Sequence, residues 1–198
     1  MEFDCENLLI GVTGSAAAVQ ITQYLVKLRQ TFAKNIHIMM SQAAQNFVPA
    51  YTLELYSGNP VTTDDFKING DIRVPHIQLA QRADLFLIMP ATANIIGKAA
   101  HAICDDLIST TIVACQAPTV FVPSMNEVMW KNRLVQRNVA TLKEAGYYFL
   151  DPVEGYALSD PTHLGKGLIP SIDSILLSLK AILAMTREVV HSGTDNHK

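Results

Sequence analysis

The sequence predicts an α/β fold in which a parallel β-sheet is covered by helices on both faces. Three observations predict it. Short apolar runs recur without alternation, as in strands buried on both sides. Each run ends in a small-residue or proline break. Segments with helical period separate the runs, which is how parallel neighbours are joined.

The first unit shows all three features. Residues 7–12 form a β-rich apolar run, and Thr13, Gly14 and Ser15 break it. The segment that follows puts Ala17, Ile21, Tyr24, Leu25, Leu28 and Phe32 on one helical face. Gln20, Gln23, Lys27 and Gln30 fall on another. Residues 35–40 are the next strand, followed by Ser41 and a short helix near 43–47. Residues 84–89 read as a buried strand ending at Pro90, and 94–102 and 106–115 as helices. Residues 118–122 are a strand ending at Pro123, 132–145 a helix closed by Gly146, and 147–150 a last strand. From 152 to 168 the chain turns polar and glycine-bearing, which predicts a loop. A final helix covers about 171–187, and the polar tail over 188–198 is expected to be disordered from His191 onward. The 198 residues read as one domain without internal repeats.

Composition narrows the function classes. Apolar residues make up 49% and charged residues 17%, which is globular and leaves apolar surface for other subunits to cover. The net charge is −3, with no dense Lys/Arg block, so nucleic acid is not an expected partner. No apolar run approaches the roughly 20 residues of a membrane span. Cys5, Cys104 and Cys115 have no metal-ligand spacing, and no metal site is expected. An odd cysteine count without a signal-peptide pattern predicts a reduced, cytoplasmic protein.

In open parallel sheets ligands bind beyond the carboxyl ends of the strands, and the informative residues sit there. Gly11-Val-Thr-Gly-Ser15 has small residues that let backbone N–H groups approach a phosphate. The same turn also serves as a plain strand-to-helix connection. Ser41 offers a hydroxyl after the second strand. Later strands lead into Pro90-Ala-Thr-Ala-Asn94 and Pro123-Ser-Met-Asn126, where Thr92 or Asn94 equally suits a helix cap. No dinucleotide Gly-x-Gly-x-x-Gly pattern and no P-loop lysine is present, so a mononucleotide such as FMN fits better than NAD or ATP. His76 precedes the third predicted strand, where an imidazole reads either as structural or as a base near neutral pH. His37 and His101 fall in regular elements, and His163 in the polar loop.

Taken together these segments resemble the homo-oligomeric flavin-containing cysteine decarboxylases. That family includes phosphopantothenoylcysteine decarboxylases and the peptidyl-cysteine decarboxylases of lantibiotic biosynthesis. Four motifs match in order over about residues 8–153: Gly11-Val-Thr-Gly-Ser15; His76-Ile-x-Leu with Ala83-Asp84; Pro90-Ala-Thr-Ala-Asn94 with Ile103-Cys-Asp-Asp-Leu107; and Pro123-Ser-Met-Asn-Glu-Val-Met-Trp130. The resemblance implies a flavodoxin-like (Rossmann-like) three-layer fold, FMN near a subunit interface, and a homotrimer that assembles to a dodecamer. It implies that Gly14, Ser15, Ser41, Ala91, Thr92, Ala93 and Asn94 hold FMN, with Phe47 beside the ring and Ser109 or Thr110 near the phosphate. It makes His76 the catalytic base, and has Asn126, with Met125 and Met129, orient the substrate cysteine and its carboxylate.

The implied chemistry explains these parts. Direct loss of CO2 from cysteine would leave an unstabilised carbanion. Removing two electrons first gives a thioaldehyde, whose C=S group accepts the pair released with CO2 and becomes an enethiolate. Phosphopantothenoylcysteine decarboxylases resemble one another in a cysteine-bearing loop that protonates this enethiol. Residues 152–168 contain no cysteine. The expectation is therefore that a precursor peptide ending in Cys is the partner, that this segment is a substrate clamp, and that the reaction stops at the enethiol, as in aminovinyl-cysteine biosynthesis. Phosphopantothenoylcysteine decarboxylation for coenzyme A is the alternative. A non-catalytic flavin-binding regulator is the alternative of another class, and retained His76 and Asn126 speak against it.

Overall fold

A computed structural model describes residues 3–63, 75–157 and 160–194. Its elements run β1 (Cys5–Val12), a 3-10 turn (Ala16–Gln20), α1 (Ile21–Thr31), β2 (Ala33–Met40), a second 3-10 turn (Gln42–Asn46), α2 (Ala50–Ser57) and β3 (Val61–Thr62). Then come α3 (Pro75–Arg82), β4 (Leu85–Ala91), α4 (Ala93–Ala100), α5 (Leu107–Ala114), β5 (Thr119–Pro123), α6 (Glu127–Trp130) and α7 (Arg133–Glu144). The last are β6 (Tyr148–Phe149), β7 (Val153–Ala157), β8 (Asp160–Leu168) and α8 (Ile172–Thr194).

Six strands form a parallel sheet in the order β3-β2-β1-β4-β5-β6. Chain direction across the sheet reverses between β1 and β4, the switch point where doubly wound folds open a crevice. The fold is the flavodoxin-like three-layer α/β arrangement expected. Alternate residues of the apolar runs feed two cores, one on each face. Leu8, Ile10, Val12, Ile36, Ile38, Leu85 and Leu87 pack with α1, α2 and α8 residues such as Leu25, Leu53 and Leu179. Leu9, Phe86, Ile88 and Phe121 pack with α3, α4, α5 and α7 residues such as Leu79, Ile96, Ile108 and Leu142. Burying each such side chain contributes roughly 1.5–3 kcal/mol, so both faces hold the central strands in place.

Several expectations are corrected. The polar 152–168 segment is a β-hairpin, β7 paired antiparallel with β8, with Tyr156 opposite Leu164. The helix expected from Ala17 begins as a 3-10 turn before α1, and the one near 43–47 is entirely 3-10. The last helix continues to Thr194, past the start of the expected disordered tail; residues 195–198 lie outside the described ones. β4 runs through Pro90 to Ala91 because its register with β5 shifts between Ile88 and Ala91, which is where a central strand tolerates proline. The structure adds α2, β3 and α6. In α2 only Leu53 and Ser57 are buried, while Tyr51 and Leu55 are exposed, so no clean amphipathic period marks it. No helix among the described residues is long and apolar enough to cross a membrane.

Candidate functional site

The carboxyl ends of the strands align. Val12 pairs with Met40, Gly11 with Ile88, and Ala91 with Pro123. Each strand therefore delivers its following turn to one rim. Side chains then stitch these turns together. Thr13, almost fully buried, donates its hydroxyl to the Pro90 carbonyl at 2.6 Å and accepts the Thr92 N–H at 3.1 Å. Ser15 Oγ lies 3.1 Å from Ser124 Oγ, and the Ser124 N–H donates to the Ala91 carbonyl at 3.0 Å.

Three of these turns open helical elements with a hydroxyl cap. Ser15 Oγ accepts from the Ala17 N–H, Ser41 Oγ from the Ala44 N–H, and Thr92 Oγ1 from the Ile95 N–H. The capping reading is correct for Thr92 but not for Asn94, which lies inside α4. Ser15 and Ser41, read from the sequence only toward a phosphate, are caps as well, and other N–H groups of a helix's first turn have no intrahelical partner. Between the turns lies a cavity of about 560 Å³ lined by Thr13, Gly14, Ser41, Ala43, Thr92, Asn94 and Met129, among others. Its size is that of a cofactor pocket, which spans roughly 300–1,000 Å³. Gly14 is required by close approach: a Cβ there would sit 2.5 Å from the Ala43 Cβ, so any side chain would push two cavity walls apart.

One wall is charged. Lys98 Nζ lies 2.6 Å from Asp105 Oδ1 and 2.6 Å from Asp106 Oδ2, and all three residues line the cavity. Burial disfavours both Lys98 and Asp106 as ions, but hydrogen bonds outweigh it, those of Lys98 to Asp105 and Asp106 and those of Asp106 to Lys98 and the Ser109 N–H. The lysine is raised above its ordinary value and the aspartate held below its own. Asp106 also accepts the Ser109 N–H at 2.8 Å in a capping box that starts α5. A carboxyl with a depressed pKa stabilises the fold above its unfolded value of about 3.9, and that stability is lost as pH falls through the folded value. Asp106→Ala is expected to lower the melting temperature by roughly 2–6 °C at neutral pH, from the lost cap alone. The gap to wild type should narrow below about pH 4; thermal melts across that range check it, and a pH-independent gap would contradict it.

The comparisons with known proteins agree on one lineage. The Flavoprotein family profile matches residues 2–184.

The chain belongs to the flavoprotein family.

Its relatives include a mersacidin decarboxylase, a probable phosphopantothenoylcysteine decarboxylase and bifunctional proteins of coenzyme A biosynthesis. The chain is 34% identical over 178 residues to mersacidin decarboxylase of Bacillus sp. (strain HIL-Y85/54728), covering 88% of this chain and 89% of that one. It is 37% identical over 170 residues to the coenzyme A biosynthesis bifunctional protein CoaBC of Bacillus subtilis (strain 168), covering 86% of this chain. It spans only 41% of that bifunctional relative's length. Among solved structures, the FMN-dependent cysteine decarboxylase SpaF superposes with a TM-score of 0.77 at 33% identity, covering 90% of this chain and 97% of that one.

In this flavoprotein the structure brings Gly14, Ser41, Thr92, Ala93, Asn94 and Met129 to the cavity. Ser15 and Ala91 stand just behind it, in the stitches described above. Other expected residues lie apart from the lining. Phe47 closes the second 3-10 turn and is 41% exposed. Ser109 is fully buried with its hydroxyl in the α5 capping box, and Thr110 follows it in the helix. His37 is in β2, where burial and nearby Arg82 lower its pKa, and a ring nitrogen of His101 lies 2.9 Å from the Gly97 carbonyl, both consistent with structural roles. His76 is the second residue of α3, and its side chain lies outside the described ones, as does that of His163 in β8.

Asn126 caps α6: its Oδ1 accepts the Val128 N–H at 2.8 Å. That hydrogen bond assigns the amide orientation and leaves the NH2 group as donor. The hairpin grips the same loop. The Met125 N–H donates to the Gly167 carbonyl at 3.2 Å, and the Lys166 N–H to Glu127 Oε1 at 3.2 Å. Sequence reasoning missed Thr13 as the central stitch and Lys98, Asp105 and Asp106 as cavity wall. Spacing could have hinted at the last group, because a lysine four residues after Asn94 shares its helix face.

Proposed function

We propose that this flavoprotein binds FMN in the cavity and catalyses oxidative decarboxylation of the C-terminal cysteine of a peptide, releasing the enethiol. The observation that carries the peptide reading is the hairpin: it is fastened to the Asn126 loop and contains no cysteine. The lining fits FMN, since it combines hydroxyls of Thr13, Ser41 and Thr92, the Asn94 amide, helix-start N–H groups and the bare Gly14 backbone. When bound, the flavin supplies a two-electron acceptor.

The chain's own residues supply position and proton transfer. Asn126, with its oxygen committed to the α6 cap, presents N–H donors suited to the substrate carboxylate. Met125 and Met129 flank it with apolar, adaptable surface for a thiol-bearing side chain. His76 takes the thiol proton as the cysteine is oxidised. With no thiol in the hairpin to protonate the product, the enethiol leaves unreduced. We also infer a homo-oligomer, trimeric and assembling to a dodecamer, in the reducing cytoplasm. Exposed apolar side chains such as Tyr51, Leu55, Val128, Leu134 and Leu177 support the association.

The test is incubation of the purified yellow protein with a peptide ending in cysteine. The expected product has lost CO2 and two hydrogens by mass spectrometry. Conversion of phosphopantothenoylcysteine to the saturated amine, with peptides untouched, would place the enzyme in the coenzyme A branch. Protein that stays colourless with added FMN would remove the flavin reading altogether.

A further inference from the structure

Among the described residues, Lys98 is the sole cation lining the cavity, and Asp105 and Asp106 are its anions. The lysine side chain is 18% exposed and is held between two carboxylate oxygens, each at 2.6 Å. Two of its three N–H donors are thereby occupied. Asp106 cannot swing away without releasing the α5 cap, so the cluster is fixed by the fold. The wall carries a net charge of −1, facing turns whose donors suit a phosphate. In a partly enclosed cavity such a charge acts over several ångströms with less attenuation than in bulk water.

Resting on the flavin reading above, we propose that Lys98 is a positioning residue for cofactor selection. By cancelling one of the two wall carboxylates, it holds the cavity at a charge that admits a phosphorylated flavin. It acts through Asp105 and Asp106 and not by gripping the phosphate itself. Without the lysine the wall carries −2 and opposes the phosphate dianion. A neutral flavin lacking phosphate does not feel that change. A purely structural lysine predicts something different, namely equal weakening for both ligands.

The experiment is fluorescence titration of the full-length, flavin-stripped protein with FMN and with riboflavin, at about 10 mM and about 1 M salt, where screening lengths are about 30 Å and 3 Å. The variants form a charge series: K98M at −2, wild type and K98M/D105N at −1, D105N at 0. The preference for FMN over riboflavin is expected to fall roughly tenfold in K98M and to return to the wild-type level in K98M/D105N. It should rise severalfold in D105N, stay unchanged in K98R, and flatten across the series at high salt. Equal loss of both ligands in K98M, or an unchanged preference in D105N, overturns the proposal. The D105N arm decides it alone if K98M does not fold. Wild-type protein that binds neither ligand fails the flavin reading itself, a result distinct from a flat charge series.

Discussion

His76→Asn is expected to leave a yellow protein that no longer turns over its peptide. The substitution keeps a planar, hydrogen-bonding side chain of similar reach but removes the group that can take a proton near neutral pH. General base catalysis contributes roughly 100- to 10,000-fold, so the rate should fall by that much. FMN affinity should stay close to wild type, because the described cavity lining comes mainly from the turns after β1, β2 and β4 and the proposed role of His76 is proton transfer. Single-turnover decarboxylation and flavin absorbance, measured on the same preparation, separate the two properties. A variant retaining more than about a tenth of the rate would dismiss His76 as the base.

The second large effect should come from Gly167→Ala. A Cβ at this position would lie 2.0 Å from the Met125 carbonyl oxygen, a backbone atom with no rotamer to yield. The hairpin would have to lift off the Met125–Asn126 loop and give up both hydrogen bonds that fasten it there. At about 1 kcal/mol for each, the loss corresponds to at least a tenfold rise in peptide KM. Gly155→Ala is the control. Its Cβ would meet the tip of Leu168 at 2.2 Å, and a leucine end can rotate. Its KM should move far less, and FMN binding should survive in both variants. An unchanged KM in Gly167→Ala would show that the hairpin takes no part in holding substrate.

These two predictions come from different levels of the molecule. His76 was legible as a candidate because it stands in a motif, His76-Ile-x-Leu before Ala83-Asp84, that needs no structure to read. Gly167 was not, because its neighbour Met125 is 42 residues away in the chain and only the folded backbone reveals the contact. The same contrast separates Ser41 and Thr92 from Thr13. The first two were read as hydroxyls at strand ends, and both line the cavity. Thr13 looked like one small residue of a turn, yet its hydroxyl joins the β1 turn to the β4 turn. The polar 152–168 segment read as a loop because its glycines and charges carry no strand period. It pairs as a hairpin in which Gly155 and Gly167 permit close packing that composition cannot show.

By itself the sequence determined five of the six strands of the central sheet, all but β3, and most of the helices that cover it. Apolar runs and helical period are local, and backbone geometry alone turns them into strands and one-sided helices. Only the tertiary structure decided which turns meet. β1 lies between β2 and β4, although about 70 residues separate it from the latter, and that pairing gathers Thr13, Ser41, Thr92 and the Lys98 cluster around one cavity. Strand order is a non-local choice set by how both sheet faces bury their apolar residues, and no window along the chain contains it.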